Sequence, residues 1–449
     1  MGIRLPDDNH LFRRQRRDNP IRIYFLLLFI LIAAFIWKQV DVGEIESPFL
    51  ATPTSTRTAN SYAMEGETQF QAGNIPAAVE AYRKAVQIEP NNSTVWAELA
   101  RIQTYSSNLL TTDAQKKQRL EEAIQSAEKA VDLNPEDSTA YAILSLTYDW
   151  YSNSAYSGEE SDNFVFKAEQ ASAKALQLDS DNVLAVAFRA EIYMRQLRYK
   201  EALDFAERAV AMDKTSFDAY RVYGFVLESQ GRRYGEAIEA YKKAAEINPN
   251  LTFIQLSIGV NYRELKQYDE ALEYFAQAAK INEQNKVADP IPYLGIARTY
   301  SQIGEFFIAA RNVMRALEIT PQDPYVYSQL GLVYFRSRNY EGSIPAFACA
   351  IDGCSALESC IVRQECSEDS PETDAPPYDI VGLPLTESTV VYYYSYGSVL
   401  AAMHREGSGY CERALKIFDK IRKDYADNEG VMSIVQTSEQ ICASYGITR

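Results

Sequence analysis

The stretch EAIEAYKKAAEINPN, Glu236 to Asn250, decides the fold. Alanines and larger apolar side chains recur at the three- and four-residue spacing of one helix face, and Pro249 closes the helix in a polar turn. The same design stands in AAVEAYRKAVQIEPNN (Ala77 to Asn92) and in EAIQSAEKAVDLNPED (Glu122 to Asp137). Ahead of such helices runs another, as in YRVYGFVLESQG from Tyr220 and YSQLGLVYFRSR from Tyr327. One helix pair cannot bury its apolar face alone, so a repeated pair implies a stack.

The pattern resembles the tetratricopeptide repeat, a helix pair of about 34 residues. Its small residue in the first helix is matched by Gly66, Gly224, Gly259 and Gly331, with Ala100, Ala190 and Ala297 in other units. Tyr148, Tyr193, Tyr262, Tyr300 and Tyr334 match the aromatic one turn later. Ala78, Ala123, Ala168, Ala202, Ala237, Ala271 and Ala309 open the second helices, with Ser343 departing mildly. The closing proline is present at Pro90, Pro135, Pro249 and Pro321 and replaced by Ser180, Lys214 and Glu283 elsewhere. The resemblance implies an all-α, right-handed α-α superhelical solenoid of about nine helix pairs; the apolar run near the N-terminus sets one transmembrane helix before it. It also implies that the first helices line a concave face holding peptides or partner segments.

On that face the candidate groove residues are Phe70, Arg101, Tyr105, Leu146, Trp150, Phe188, Arg195, Arg221, Phe225, Arg263, Arg298, Phe335 and Arg336. Aromatic residues and arginine carry much of the energy of protein interfaces, and arginine in an acidic body can grip a carboxylate. The competing reading packs many of these side chains between neighbouring repeats. The Lys and Asn set with which the family's best-known groove clamps a C-terminal carboxylate is not reproduced here, which disfavours a chaperone-tail adaptor.

The first forty residues differ from the rest. Six arginines (Arg4, Arg13, Arg14, Arg16, Arg17 and Arg22) precede the apolar run Ile23 to Trp37, and Lys38 ends it. A helix over 21–40 spans roughly 30 Å, the thickness of a hydrocarbon core. Positive charge ahead of a single span places the N-terminus in the cytoplasm and the remainder outside. A cleaved signal peptide shares the basic start, but the residues after Trp37 offer no small-x-small site.

The expected organisation is a basic tail (1–20), a signal-anchor helix (21–40), a linker (41–58) and eight repeats (59–351). A cysteine-rich, acidic and proline-rich insertion (352–388) and an irregular ninth repeat with a capping helix (389–449) complete it. Two units carry extra residues between their helices, SSNLLTTDAQKKQ from Ser106 and YSNSAYSGEESDN from Tyr151. Lengthened turns are the insertions a repeat tolerates best, so spacing is the plainer reading and contact the alternative.

All six cysteines, Cys349, Cys354, Cys360, Cys366, Cys411 and Cys442, fall in the last hundred or so residues. An even, clustered set on a segment expected outside the membrane reads as three disulfides. Fifteen pairings are open; the preferred one joins Cys411 to Cys442 and leaves the first four to pair among themselves. The gaps do not suit zinc, whose pairs stand two to four residues apart, and no C-x-x-C redox motif is present.

Net charge of −16 argues against nucleic acid as a partner, and no catalytic, cofactor or metal motif stands out. The expected function is a non-enzymatic, membrane-anchored, extracytoplasmic scaffold binding protein or peptide partners in its concave groove, with no cofactor and no small-molecule substrate. The alternatives are a permanent structural subunit of an envelope assembly (a secretion, pilus or surface-layer apparatus) and, more distantly, an enzyme acting on envelope polymers.

Overall fold

The computed structural model describes residues 20–41, 57–231, 233–367 and 378–448. The basic tail before residue 20, most of the expected linker and the centre of the expected insertion lie outside them. The chain divides into two units, Met1–Arg57 and Thr58–Arg449. In the first, α1 (Pro20–Asp41) has its apolar side chains exposed on every face, and Pro20–Gln39 is long and apolar enough to cross a membrane.

The second unit is a succession of helix pairs. They begin with α2 (Ala59–Gln71) and α3 (Ile75–Ile88), α4 (Ser93–Ser106) and α5 (Asp113–Leu133), then α6 (Ser138–Tyr151), the single turn α7 (Ser154–Ser157) and α8 (Ser161–Leu178). There follow α9 (Val183–Arg195) and α10 (Tyr199–Met212), α11 (Phe217–Ser229) and α12 (Tyr234–Ile247), α13 (Thr252–Glu264) and α14 (Tyr268–Asn285). Next come α15 (Ile291–Gln302) and α16 (Phe306–Ile319), then α17 (Pro324–Arg336) and α18 (Tyr340–Ile351). The short α19 (Ala356–Val362), α20 (Val390–Ala402), α21 (Tyr410–Tyr425) and α22 (Glu429–Ser444) complete it. No strand forms among the described residues, only an isolated antiparallel bridge between Cys354 and Ile380.

Local chemistry sets these boundaries. Asn92, Asp137, Asn182, Ser216 and Asp323 cap first helices by accepting from backbone amides two or three residues on. Between first and second helices the turn needs a left-handed residue, supplied by Gly73, Leu197, Gly231, Lys266, Gly304 and Arg338. First helices of successive pairs then pack side by side: α4 on α6, α6 on α9, α9 on α11, α13 on α15, α15 on α17 and α17 on α20.

The small residue in each first helix is a packing requirement. A Cβ on Gly224 would meet the Tyr241 ring at 2.7 Å, one on Gly259 the Phe275 ring at 2.7 Å and one on Gly331 the Phe347 ring at 2.6 Å. Gly397 of α20 stands against Phe418 of α21 in the same way, so the last pair repeats the design across the insertion. Gly224→Leu is expected to lower stability by at least about 1 to 3 kcal/mol, because Tyr241 has nowhere to retreat; denaturation of the full chain in detergent measures it. An equal midpoint would refute this account of the spacing.

Distant pairs also meet. A Cβ on Gly73 would run into the carbonyl of Asn250, so the turn after α2 lies directly on the turn after α12. The Asn250 side chain donates to the Gln71 carbonyl (3.2 Å) and that of Asn285 to the Ala72 carbonyl (2.7 Å). Farther along, Thr111 donates to Asp323, and Thr386 and Ser388 donate to Asp113. The lengthened turn before α5 therefore reaches α17 and the entrance to α20.

At the bend between α14 and α15, burial pushes the Asp289 carboxyl up to about 6, against the opposing bonds from Ile291 and Asn282. A raised folded value means the folded chain keeps a proton that the unfolded chain has released. Stability from this group therefore falls as pH climbs from about 4 to 6 and is level above. Asp289→Asn should flatten that slope and gain about 1 to 3 kcal/mol over the parent at pH 7; melts at pH 4.5 and pH 7 test it, with an unchanged gap counting against it.

Candidate interaction groove

A cluster of the chain's own side chains occupies much of the inner face of the first five pairs. Phe70, Tyr105, Leu146, Phe188 and Arg221 are buried there. Phe70 stacks near Tyr105 (ring centroids 6.2 Å), and Tyr105 meets Trp150 (5.8 Å), Phe217 (6.5 Å) and Phe253 (5.5 Å), joining α2, α4, α6, α11 and α13.

The cations in this cluster are neutralised from within. Arg101 pairs with Glu98 (2.7 Å) and Asp218 (3.2 Å), Arg195 with Asp149 (2.8 Å), and Arg221 with Glu191. Tyr105 donates to Asp218, and the Trp150 indole to Glu191 (2.9 Å). The Arg221 guanidinium also lies over the Tyr105 and Trp150 rings, 5.1 and 5.8 Å from their centres. Burial works against the charge on Arg221, and Glu191, Tyr105 and Asp218 together outweigh it and hold the group strongly protonated. Burial pushes the Glu191 carboxyl up, and Arg221 pulls it back. Trp150, Arg195, Arg221 and Phe225 border a residual cavity of about 300 Å³ beside this cluster.

The later pairs differ. Arg263 of α13, Arg298 of α15 and Arg336 of α17 line one cavity of about 250 Å³ together with Gln329, Val391 and Tyr392. Arg298 is shared with an adjoining cavity of about 400 Å³ that Lys116 and Tyr325 also line. Arg298 donates to the Gln329 side-chain carbonyl (3.2 Å) and to the Tyr325 hydroxyl, while Arg336 reaches Ser301 (3.5 Å). Phe335 lies away from this cavity and packs on Tyr340 (6.0 Å).

Twelve of the thirteen expected groove residues thus divide between a cluster around Tyr105, whose arginines are paired within the chain, and an arginine row on the later pairs without carboxylate partners among the described residues; Phe335 lies outside both. Sequence reasoning does not single out the acidic partners Asp149, Glu191 and Asp218, nor Lys116. A carboxylate on the inner stripe of a first helix is the signal that points to them, since that stripe is otherwise apolar.

The cysteines come together as three neighbours in sequence order. Cys349 faces Cys354, Cys360 faces Cys366 and Cys411 faces Cys442, with Cα separations of 4.7, 5.6 and 5.5 Å. These lie within the span of roughly 4.4 to 6.8 Å that disulfides use. The first pair fastens the end of α18 to the Cys354–Ile380 bridge, and the third ties the start of α21 to the end of α22.

Models of the tetratricopeptide-repeat family match residues 59–92, 114–137, 189–252 and 254–285. Among solved structures, a thermophilic tetratricopeptide-repeat protein of Thermus thermophilus matches at 18% identity with a TM-score of 0.37. That match covers 45% of this chain and 98% of the other. No curated protein matches the chain.

Proposed function

Because the chain carries tetratricopeptide repeats, whose common role is to hold other proteins, we propose that it is a membrane-anchored scaffold. Its repeat body stands outside the cytoplasm and receives partners on the inner face of the later pairs. The observation that carries this reading is the contrast between the two inner faces. On the first five pairs Arg101, Arg195 and Arg221 are paired with the chain's own carboxylates, whereas Arg263, Arg298 and Arg336 line one cavity of the later pairs with no carboxylate at ion-pair distance among the described residues. Twelve of the thirteen groove candidates accordingly have two roles, with the cluster around Tyr105 holding the coil and Arg263, Arg298 and Arg336 meeting the partner.

Anchoring is supported by α1, whose all-round apolar surface has no place in a soluble core. The arginine-rich start argues for a cytoplasmic N-terminus, and clustered cysteines set at disulfide separations suit an oxidising compartment beyond the membrane.

Two experiments on the full chain test this. Protease added outside intact cells should degrade the repeat body and spare the N-terminal tail; the reverse pattern would overturn the topology. Crosslinking in those cells, followed by mass spectrometry, should recover partner proteins joined through the later pairs. A native complex that survives high salt and dilution would instead favour a permanent envelope subunit.

A further inference from the structure

The arginines on the inner face of the early first helices each have a carboxylate partner within the chain; those of the later first helices do not, and neither does Lys116 of α5, which lines the adjoining cavity. Among the described residues, none of Lys116, Arg263, Arg298 and Arg336 has a carboxylate at ion-pair distance, although Arg101, Arg195 and Arg221 all do. The Arg263 guanidinium stacks over the Phe275 ring at 5.7 Å, and its buried Nε has no hydrogen-bond partner. Burial pulls the charge on Arg263 down, and the neighbouring Arg298 adds to that, with only Glu264 opposing. Lys116 is lowered by burial too, with Asp113 opposing and Arg298 adding.

Like charges gathered in a partly enclosed groove are costly unless something anionic joins them. The one carboxylate that lines the adjoining cavity, Glu228, is held by the Asn261 amide at 2.6 Å. The arginines come one to a repeat, on three successive first helices, so they form a row rather than a knot. A row suits a linear chain bearing carboxylates at intervals, with Val391 and Tyr392 giving apolar contact between them. The rest of this acidic chain repels such a segment, which confines it to the row.

We propose that the inner face of α13, α15 and α17 binds an acidic, extended peptide segment of a partner protein, with Arg263, Arg298 and Arg336 each taking a carboxylate. This rests on the scaffold reading and names the chemistry of its partner. The arginine's planar fork makes such contacts bidentate, so they are specific as well as attractive.

The test uses the full chain in detergent with fluorescein-labelled octaglutamate and octaglutamine peptides, read by fluorescence anisotropy. Octaglutamate should bind and octaglutamine should not, and binding should weaken as salt rises. Arg298→Glu, at an exposed position, should cut octaglutamate affinity on the order of 10-fold or more. Arg336→Ala should weaken it less, and Arg405→Glu, outside the groove, should leave it unchanged. Helix content and the melting midpoint of each variant show whether the fold persists. Equal binding of the two peptides, or full octaglutamate affinity in folded Arg298→Glu, overturns the proposal; so does a groove that takes heparin but neither peptide. If partners are still crosslinked through this face by uncharged segments, the scaffold reading stands and only the acidic assignment falls. If no partner is crosslinked at all, the scaffold reading itself fails, whatever the peptides do.

Discussion

Arg221→Met lowers the stability of the repeat body by about 3 to 5 kcal/mol, the loss expected when one member of a buried ion pair is removed. Glu191 would keep only the Trp150 indole as a partner while remaining 3% exposed. The substitution also removes the group that sits over Tyr105, Trp150 and Phe188 at the centre of the interior cluster. Burial already raises the Glu191 carboxyl, and without Arg221 the rise is larger. A raised folded value withdraws stability as pH climbs through the interval between the unfolded and folded values. The variant should therefore lose more at pH 8 than at pH 5. Adding Glu191→Gln should recover about half or more of the loss, since the stranded charge is gone. Guanidinium denaturation of the three proteins at both pH values measures this. A single variant as stable as the double would show that the pair is not what holds the interior.

Removing the Cys411–Cys442 pair by double substitution to alanine should destabilise the last helices by about 3 to 4 kcal/mol, the entropy of closing a loop of this length. The two residues are 31 apart in sequence and join α21 to α22, the last helices of the described stack. Hydrogen exchange should rise in α20, α21 and α22 and stay unchanged in α2 to α12, because repeats pass stability mainly to their neighbours. The parent, isolated without reductant, should give a Cys411–Cys442 peptide on mapping. An unaltered exchange pattern, or two free thiols in the parent, would contradict the bond.

The helix pairs were legible because their signals are local. Gly224 and Tyr241 are close in sequence and packed together, so the requirement for a small residue recurs wherever the pair recurs. It even crosses the insertion to Gly397 and Phe418, where intervening residues hide the period. The interior was less legible. Whether an arginine on a first helix faces a partner or its own chain depends on which distant pair the coil brings opposite, and that follows from small rotations summed over several repeats. Arg101 finds Asp218 at 117 residues' distance, while Arg298, also on the inner stripe of a first helix, finds no carboxylate among the described residues. The lengthened turn before α5 read as a tolerated spacer for the same reason. Nothing near Thr111 or Asp113 in sequence announces Asp323 or Ser388.

The most direct measurement of the central claim places a photo-crosslinking amino acid at Gln302, on the wall of the arginine-lined cavity, and at Glu239, on the exposed face of α12. Irradiation of living cells should join Gln302 to another protein and leave Glu239 without an adduct. Adducts at Glu239 with none at Gln302 would mean that the arginine-lined inner face of the later pairs is not where this protein meets its partners.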